Sequence, residues 1–188
     1  ERDFDETAGP KELDFRSADS PACSNGLLVF PFFMGGLSPL WDSTVRGTVL
    51  VLSLKTTKYE LYNAFQGAIA YSVRQSIETF GADIGNEITL VGGVSNSKKM
   101  VQMIADVTGK TVLTTKSGGE ANLGSAILAG IGINAVDPDD VSDWIKIDQR
   151  IVPNSNRNSL YNKYFRMYQL AYNDIKNFYK DFSTINNE

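Results

Sequence analysis

Histidine does not occur among the 188 residues, and cysteine occurs once, at Cys23. Triads built on imidazole and the usual His/Cys zinc sites are therefore excluded, and no disulfide can close within the chain. A lone thiol suits a reducing compartment, so the expected location is cytoplasmic. Long apolar runs are also missing. None reaches the roughly 18 residues of a membrane span, and no basic segment precedes an apolar one as in a signal peptide. Cationic excess is lacking too: 18 Lys and Arg stand against 22 Asp and Glu, a net charge of −4. No nucleic-acid partner is expected from that balance, and no membrane partner from the missing apolar run. A phosphate ligand would have to be held by backbone donors and a metal more than by a cationic field.

What remains is ordinary globular material, 42% hydrophobic and 21% charged. The chain opens on Glu1 with no Met, which suggests processing or a piece of a longer polypeptide. Residues 1–26 are polar and broken by Gly9, Pro10, Pro21 and Gly26, so a lead-in arm or linker with little regular structure is expected. Strands are expected at Leu27–Met34 and Gly47–Leu54. From Lys58 to Phe80, Leu61, Phe65, Ile69, Val73, Ile77 and Phe80 recur at helical steps, and Gly81 stops the run. A strand at 87–91, a helix from about Ser97 to Val107 closed by Gly109, a strand at Thr111–Thr115 and a helix at Glu120–Ile131 follow. Gly124, Gly130 and Gly132 suit a helix pressed against neighbours. The alternation reads as an α/β domain over 27–135, with 136–188 as a C-terminal extension. In that extension Leu160, Tyr161, Tyr164, Phe165, Tyr168, Tyr172, Ile175, Tyr179 and Phe182 lie at helical spacing. Such a stripe either docks on the domain or forms a partner surface, in which case the protein would be a homodimer.

The segment from Glu87 to Ser97, Glu-Ile-Thr-Leu-Val-Gly-Gly-Val-Ser-Asn-Ser, is the most informative. An apolar strand feeds a glycine turn and a polar helix start, where backbone can approach a ligand and the first helical N–H groups face an anion. Any α/β protein makes such turns, and Ser95, Asn96 or Ser97 could simply cap the helix.

Four segments in order resemble the carboxy-terminal domain of the FGGY carbohydrate kinases, over roughly residues 27–132. They are Phe33-Met34-Gly35-Gly36-Leu37-Ser38-Pro39-Leu40-Trp41-Asp42 with Arg46-Gly47, and Leu52-Ser53-Leu54 leading to Ala64-Phe65-Gln66-Gly67-Ala68. Gly92-Gly93-Val94-Ser95-Asn96-Ser97 with Gln102 and Asp106 comes third, and Glu120-Ala121-Asn122-Leu123-Gly124 comes fourth. Two positions depart from the pattern: Gly35-Gly36-Leu37 stands where xylulokinase-like members carry Gly-Glu-Arg, and Gln66 where many carry Glu.

The resemblance implies a ribonuclease-H-like, actin-type ATPase domain, a mixed sheet with flanking helices that closes with a second domain around ATP and a sugar or polyol. It implies ATP and Mg²⁺ as cofactors and transfer of the γ-phosphoryl to a hydroxyl of a xylulose-, gluconate- or glycerol-like substrate. The family's catalytic aspartate and most of its sugar-binding residues belong to an amino-terminal domain with no counterpart here, so no catalytic residue and no metal ligand is assigned in this chain. Gly92 and Gly93 would lie against the nucleotide's phosphates and ribose, with Asn96 and Ser97 beside the nucleoside. Glu120 and Gly124 either neighbour the adenine or serve helix packing. Asp42 and Arg46 invite an active-site reading, and a local ion pair that fixes a turn is expected at least as much. Lys98 and Lys99 either attract phosphates or, as is favoured, keep a helix face solvated, and neither Asp83 nor Asp106 has a partner carboxylate. The alternative to a kinase is an actin-like module that binds a nucleotide or partner without transferring phosphate.

Overall fold

A computed structural model of the chain describes residues 9–81, 84–116 and 120–185. Its strands fall into two sheets. Leu28–Phe30 (β1) pairs antiparallel with Thr48–Leu50 (β2), setting Val29 opposite Val49. Glu87–Leu90 (β3) runs parallel to Thr111–Thr115 (β4), and Ile147–Ile151 (β5) joins β4 antiparallel, with a register irregularity at Thr114/Thr115. The fold is mixed α/β, as expected.

Both expected strands before residue 55 are shorter than the apolar runs that announce them. β1 stops at Phe30 because Pro31 has no N–H to give a ladder. β2 stops at Leu50, where Val51 turns out of the sheet at φ +65°.

Lys58–Phe80 (α2) and Lys98–Thr108 (α3) begin and end on local signals. Thr57 Oγ1 accepts from Glu60 N at 3.2 Å while Glu60 Oε2 accepts from Thr57 N at 2.8 Å, a reciprocal cap of about 1 kcal/mol. Gly81 and Gly109 close the two helices at φ +68° and +69°, a conformation that a side chain disfavours.

The core lies where α2, α3 and the C-terminal helix Ser155–Ile185 (α5) meet β1 and β4. Phe30, Ile104, Val107, Val112, Phe165 and Tyr168 are each buried there. The aromatic stripe does dock: Tyr71 lies 5.7 Å from Phe165 and 5.2 Å from Tyr168, ring centroid to centroid, and Phe30 4.8 Å from Tyr168. Arg74 caps this cluster, its guanidinium 4.3 Å from the Phe165 ring centre and its Nη1 donating to Val107 O and Asn162 Oδ1.

Three expectations are corrected. The lead-in carries a helix, Pro10–Arg16 (α1), and a tight turn, Ala22–Gly26, whose Ser24 is buried and hydrogen-bonded by Asn63. Proline at the first helical position starts α1 rather than breaking the chain. Glu120–Gly132 (α4) is not pressed against neighbours: a Cβ at Gly124 or Gly132 would meet nothing within 4 Å, and only Gly130 sits tight, against Val136. The strand β5 was not anticipated, because four of its five residues are exposed and its sequence carries no apolar face.

Candidate functional site

The four nominated residues share one turn. Gly92 adopts φ +83° with ψ −167°, which a residue with a side chain disfavours. Gly93–Asn96 then makes a single tight turn, fixed by Ser95 N and Ser95 Oγ both donating to Gly92 O, at 3.1 and 2.7 Å. Ser97 caps α3 by accepting from Met100 N at 3.2 Å. Gly92, Gly93 and Asn96 are exposed, and a Cβ on either glycine would meet nothing within 4 Å, so the space before the turn is open. Packing explains neither glycine; backbone conformation explains the first.

Capping is therefore real for Ser97, but it is only half of what that hydroxyl does. Ser97 Oγ also donates to Asp14 Oδ2 at 2.5 Å, from α1. Asp14 Oδ1 accepts from Tyr62 OH at 2.9 Å and Gln66 Nε2 at 2.5 Å, both on α2. Burial works to raise the Asp14 carboxyl; these three hydrogen bonds and the Lys99 charge outweigh it and hold the group below its usual range. Burial likewise pushes the Lys99 ammonium down to about 8, against the attraction of Asp14, and lifts the Tyr62 phenol to about 12.

Lys99 therefore corrects an expectation: it is half-buried, donates to Ser17 Oγ at 2.6 Å and lies over the Tyr62 ring, while Lys98 is exposed as expected. Sequence reasoning singles out Lys99 only beside Lys98 and has no signal for Asp14. The Asp14–Ser97 contact spans 83 positions, and no local spacing announces it.

Elsewhere, Asp42 accepts from Thr44 N and Oγ1 at 2.8 and 2.6 Å, and the Thr44 hydroxyl holds its carboxyl below the usual range. Arg46 turns instead to the carbonyls of Ser43 and Val45, so the turn is fixed without the expected ion pair. Asp106 is buried and joins α3 to α5, accepting from Gln102 Nε2 and Asn154 N, each at 2.8 Å. Asp83 lies outside the described residues. Among the described residues no three His, Cys, Asp or Glu side chains cluster as a metal site would require, and no helix is long and apolar enough to cross a membrane.

Beside the turn lies a cavity of 380 Å³, lined by Asn96, Lys98, Gln102, Thr114 and the β5 residues Asp148 and Gln149 among others. A larger groove, 640 Å³, runs between Leu40, Gln75 and α5 and includes no residue of the turn.

Residues 2–133 match the model of the FGGY family of carbohydrate kinases, C-terminal domain. A xylulose kinase of Staphylococcus epidermidis is 30% identical over 189 residues, covering 98% of this chain and 38% of that protein. A glycerol kinase of Deinococcus radiodurans is 32% identical over 142 residues, 73% of this chain and 28% of that protein. Among solved structures, a gluconate kinase from Lactobacillus acidophilus superposes with a TM-score of 0.86 at 22% identity, over 95% of this chain and 37% of that one. A ligand-bound xylulose kinase from the same organism gives 0.85 at 22%, over 93% and 36%. The chain thus spans less than two fifths of the length of each of these relatives.

Proposed function

The chain belongs to the FGGY family of carbohydrate kinases, as its carboxy-terminal domain, and from that premise we propose that it is the nucleotide-holding part of an ATP-dependent kinase for a sugar or polyol. The observation that carries the reading is the open glycine turn at the start of α3, with Gly92 and Gly93 facing free space and Ser97 fixed at the helix start. Phosphoryl transfer to an alcohol is mostly positioning and charge stabilisation. The chain's share is to hold the nucleotide: Gly92 and Gly93 admit the phosphates to the backbone, and Asn96 and Ser97 border the nucleoside. Mg²⁺ fits this scheme as an ion brought on the nucleotide's phosphates, where it supplies charge neutralisation. The base that accepts the hydroxyl proton, and most contacts to the xylulose-, gluconate- or glycerol-like substrate, are assigned to the remainder of the full-length protein, working in the cytoplasm.

The test is an ATP-dependent phosphorylation assay of the full-length protein and of this chain alone, on xylulose, gluconate and glycerol. Turnover by the full-length protein and none by the chain is expected. Comparable turnover by the chain alone, or none on any sugar or polyol by the full-length protein, would refute the assignment.

We further propose that the protein is a homodimer through the outer face of α5. Leu160, Met167, Leu170, Phe178, Phe182 and Ile185 stay exposed there, while Tyr161, Phe165, Tyr168 and Tyr179 are committed to the core.

A further inference from the structure

The larger groove, at 640 Å³, falls within the volume range of small-molecule sites and holds no residue of the glycine turn. Its long wall is α5. Arg166, Gln169, Leu170 and Asn173 follow one another at helical steps, so they share one stripe of that helix, about 10 Å from first to last. Opposite them stand Gln75, from α2, and Leu40, from the loop between β1 and β2. Tyr172 makes a fixed floor, its ring meeting Phe30 and Phe32 edge-on, each 6.1 Å away between centroids.

The polar side chains of this groove are unspent. Arg16, Arg46, Arg74, Arg150 and Arg157 are each engaged by a carboxylate or a carbonyl. The Arg166 guanidinium has no such partner among the described residues, and neither have the carboxamides of Gln75 and Gln169. Asn173 accepts from Lys176 Nζ at 3.4 Å and keeps both its N–H groups. Among the described residues no carboxylate lines the groove. Burial and the charge of Asp42 raise the Tyr172 phenol, so it stays a donor, while Asp42 itself is turned to Thr44.

Such a lining selects its occupant. A guanidinium fork matches a phosphate or carboxylate group. A carboxamide gives and accepts at once, as a hydroxyl does, so a row of carboxamides suits a row of hydroxyls. Leu40, Leu170 and the Tyr172 ring offer apolar surface to the carbon chain between them. The geometry points to a second ligand site on this chain, for a polyol that carries an anionic group, with the anion on Arg166 and the hydroxyls along Gln169, Gln75 and Asn173. This occupant does not compete for the glycine turn. Leu170 also belongs to the outer stripe of α5, so the groove opens beside the proposed dimer contact.

The experiment is NMR of this chain, following the side-chain N–H signals of Gln75, Gln169, Asn173 and Arg166 and the backbone amides of α5. The main probe is 6-phosphogluconate, with xylitol and inorganic phosphate as controls that carry the hydroxyls or the anion alone. At millimolar concentration 6-phosphogluconate is expected to shift this set, and each control to bind at least tenfold more weakly. Glycerol 3-phosphate and gluconate separate the two sources of charge, and whichever binds more tightly identifies the anion that Arg166 holds. Arg166→Gln, at an exposed position, should weaken 6-phosphogluconate about tenfold with an unchanged melting temperature, through loss of a charge-assisted contact. The site is overturned if 6-phosphogluconate leaves the set unmoved, if inorganic phosphate binds as tightly, or if Arg166→Gln binds like the wild type. Mg-ADP, read at Gly92 and Gly93, tests the nucleotide reading separately, so either can fall without the other.

Discussion

Asp14 and Lys99 are the two charged residues that titrate beside the glycine turn: Asp14 accepts from the Ser97 hydroxyl that caps α3, and Lys99, which donates to Ser17 Oγ, is the charge nearby. Their titration gives stability a signature at both ends of the pH scale. The Asp14 carboxyl sits below its ordinary 3.8 when folded. Its contribution is complete above that value and is lost as pH falls through the lower folded one. Lys99 runs the other way: burial lowers it from 10.5 to about 8, so the unfolded chain binds the extra proton between those values and stability rises as pH climbs from about 8 toward 10.5. Chemical unfolding followed across pH should show both limbs. Asp14→Asn should flatten the acid limb and Lys99→Met the alkaline one; an unchanged acid limb in Asp14→Asn would contradict the hydrogen-bond arrangement around Ser97.

Among the elements, α5 bears the most weight, and its inner face is hydrophobic core in the strict sense. Phe165 is 2% exposed, stacked against Tyr168 and covered by Arg74. Phe165→Ala should cost about 3–5 kcal/mol by thermal or denaturant unfolding, through lost contact and the cavity left behind. A loss under 1 kcal/mol would mean that the helix is a mobile appendage.

The elements also show where sequence is readable. α2 and α3 were legible nearly to the residue because Thr57, Ser97, Gly81 and Gly109 act locally. β4 is legible because Thr111–Thr115 is β-branched but for Leu113. β5 was not, since an exposed edge strand such as Ile-Asp-Gln-Arg-Ile has no face to write into the pattern. α1 is hidden behind Gly9 and Pro10, since the same two residues signal a break and a helix start, and here Pro10 starts the helix. The site divides in the same way. Gly92, Gly93, Asn96 and Ser97 are neighbours in the chain and could be named from it, whereas Asp14, Tyr62 and Gln66 join Ser97 only through folding.

For the whole molecule, two exposed surfaces lie on one chain, the glycine turn before α3 and the outer stripe of α5. If the stripe joins two copies, the mass measured by light scattering should rise with concentration, and Phe178→Ser with Phe182→Ser should return it to that of a monomer without changing the melting temperature. A monomeric mass at every concentration would remove the dimer. The two surfaces are independent in that case, and nucleotide binding should be the same in the double variant.

The contact between α1 and α3 carries one more consequence. The hydrogen of Ser97 Oγ is spent on Asp14 and one of its lone pairs on Met100 N, so what the hydroxyl still offers a visitor is a lone pair alone. Gly92 and Gly93, five and four positions earlier, offer open peptide backbone ahead of the amino end of α3, which welcomes negative charge. The turn is therefore polarised along its length. A molecule with an anion at one end and a hydrogen to give at the other can lie along it in one sense and not in reverse.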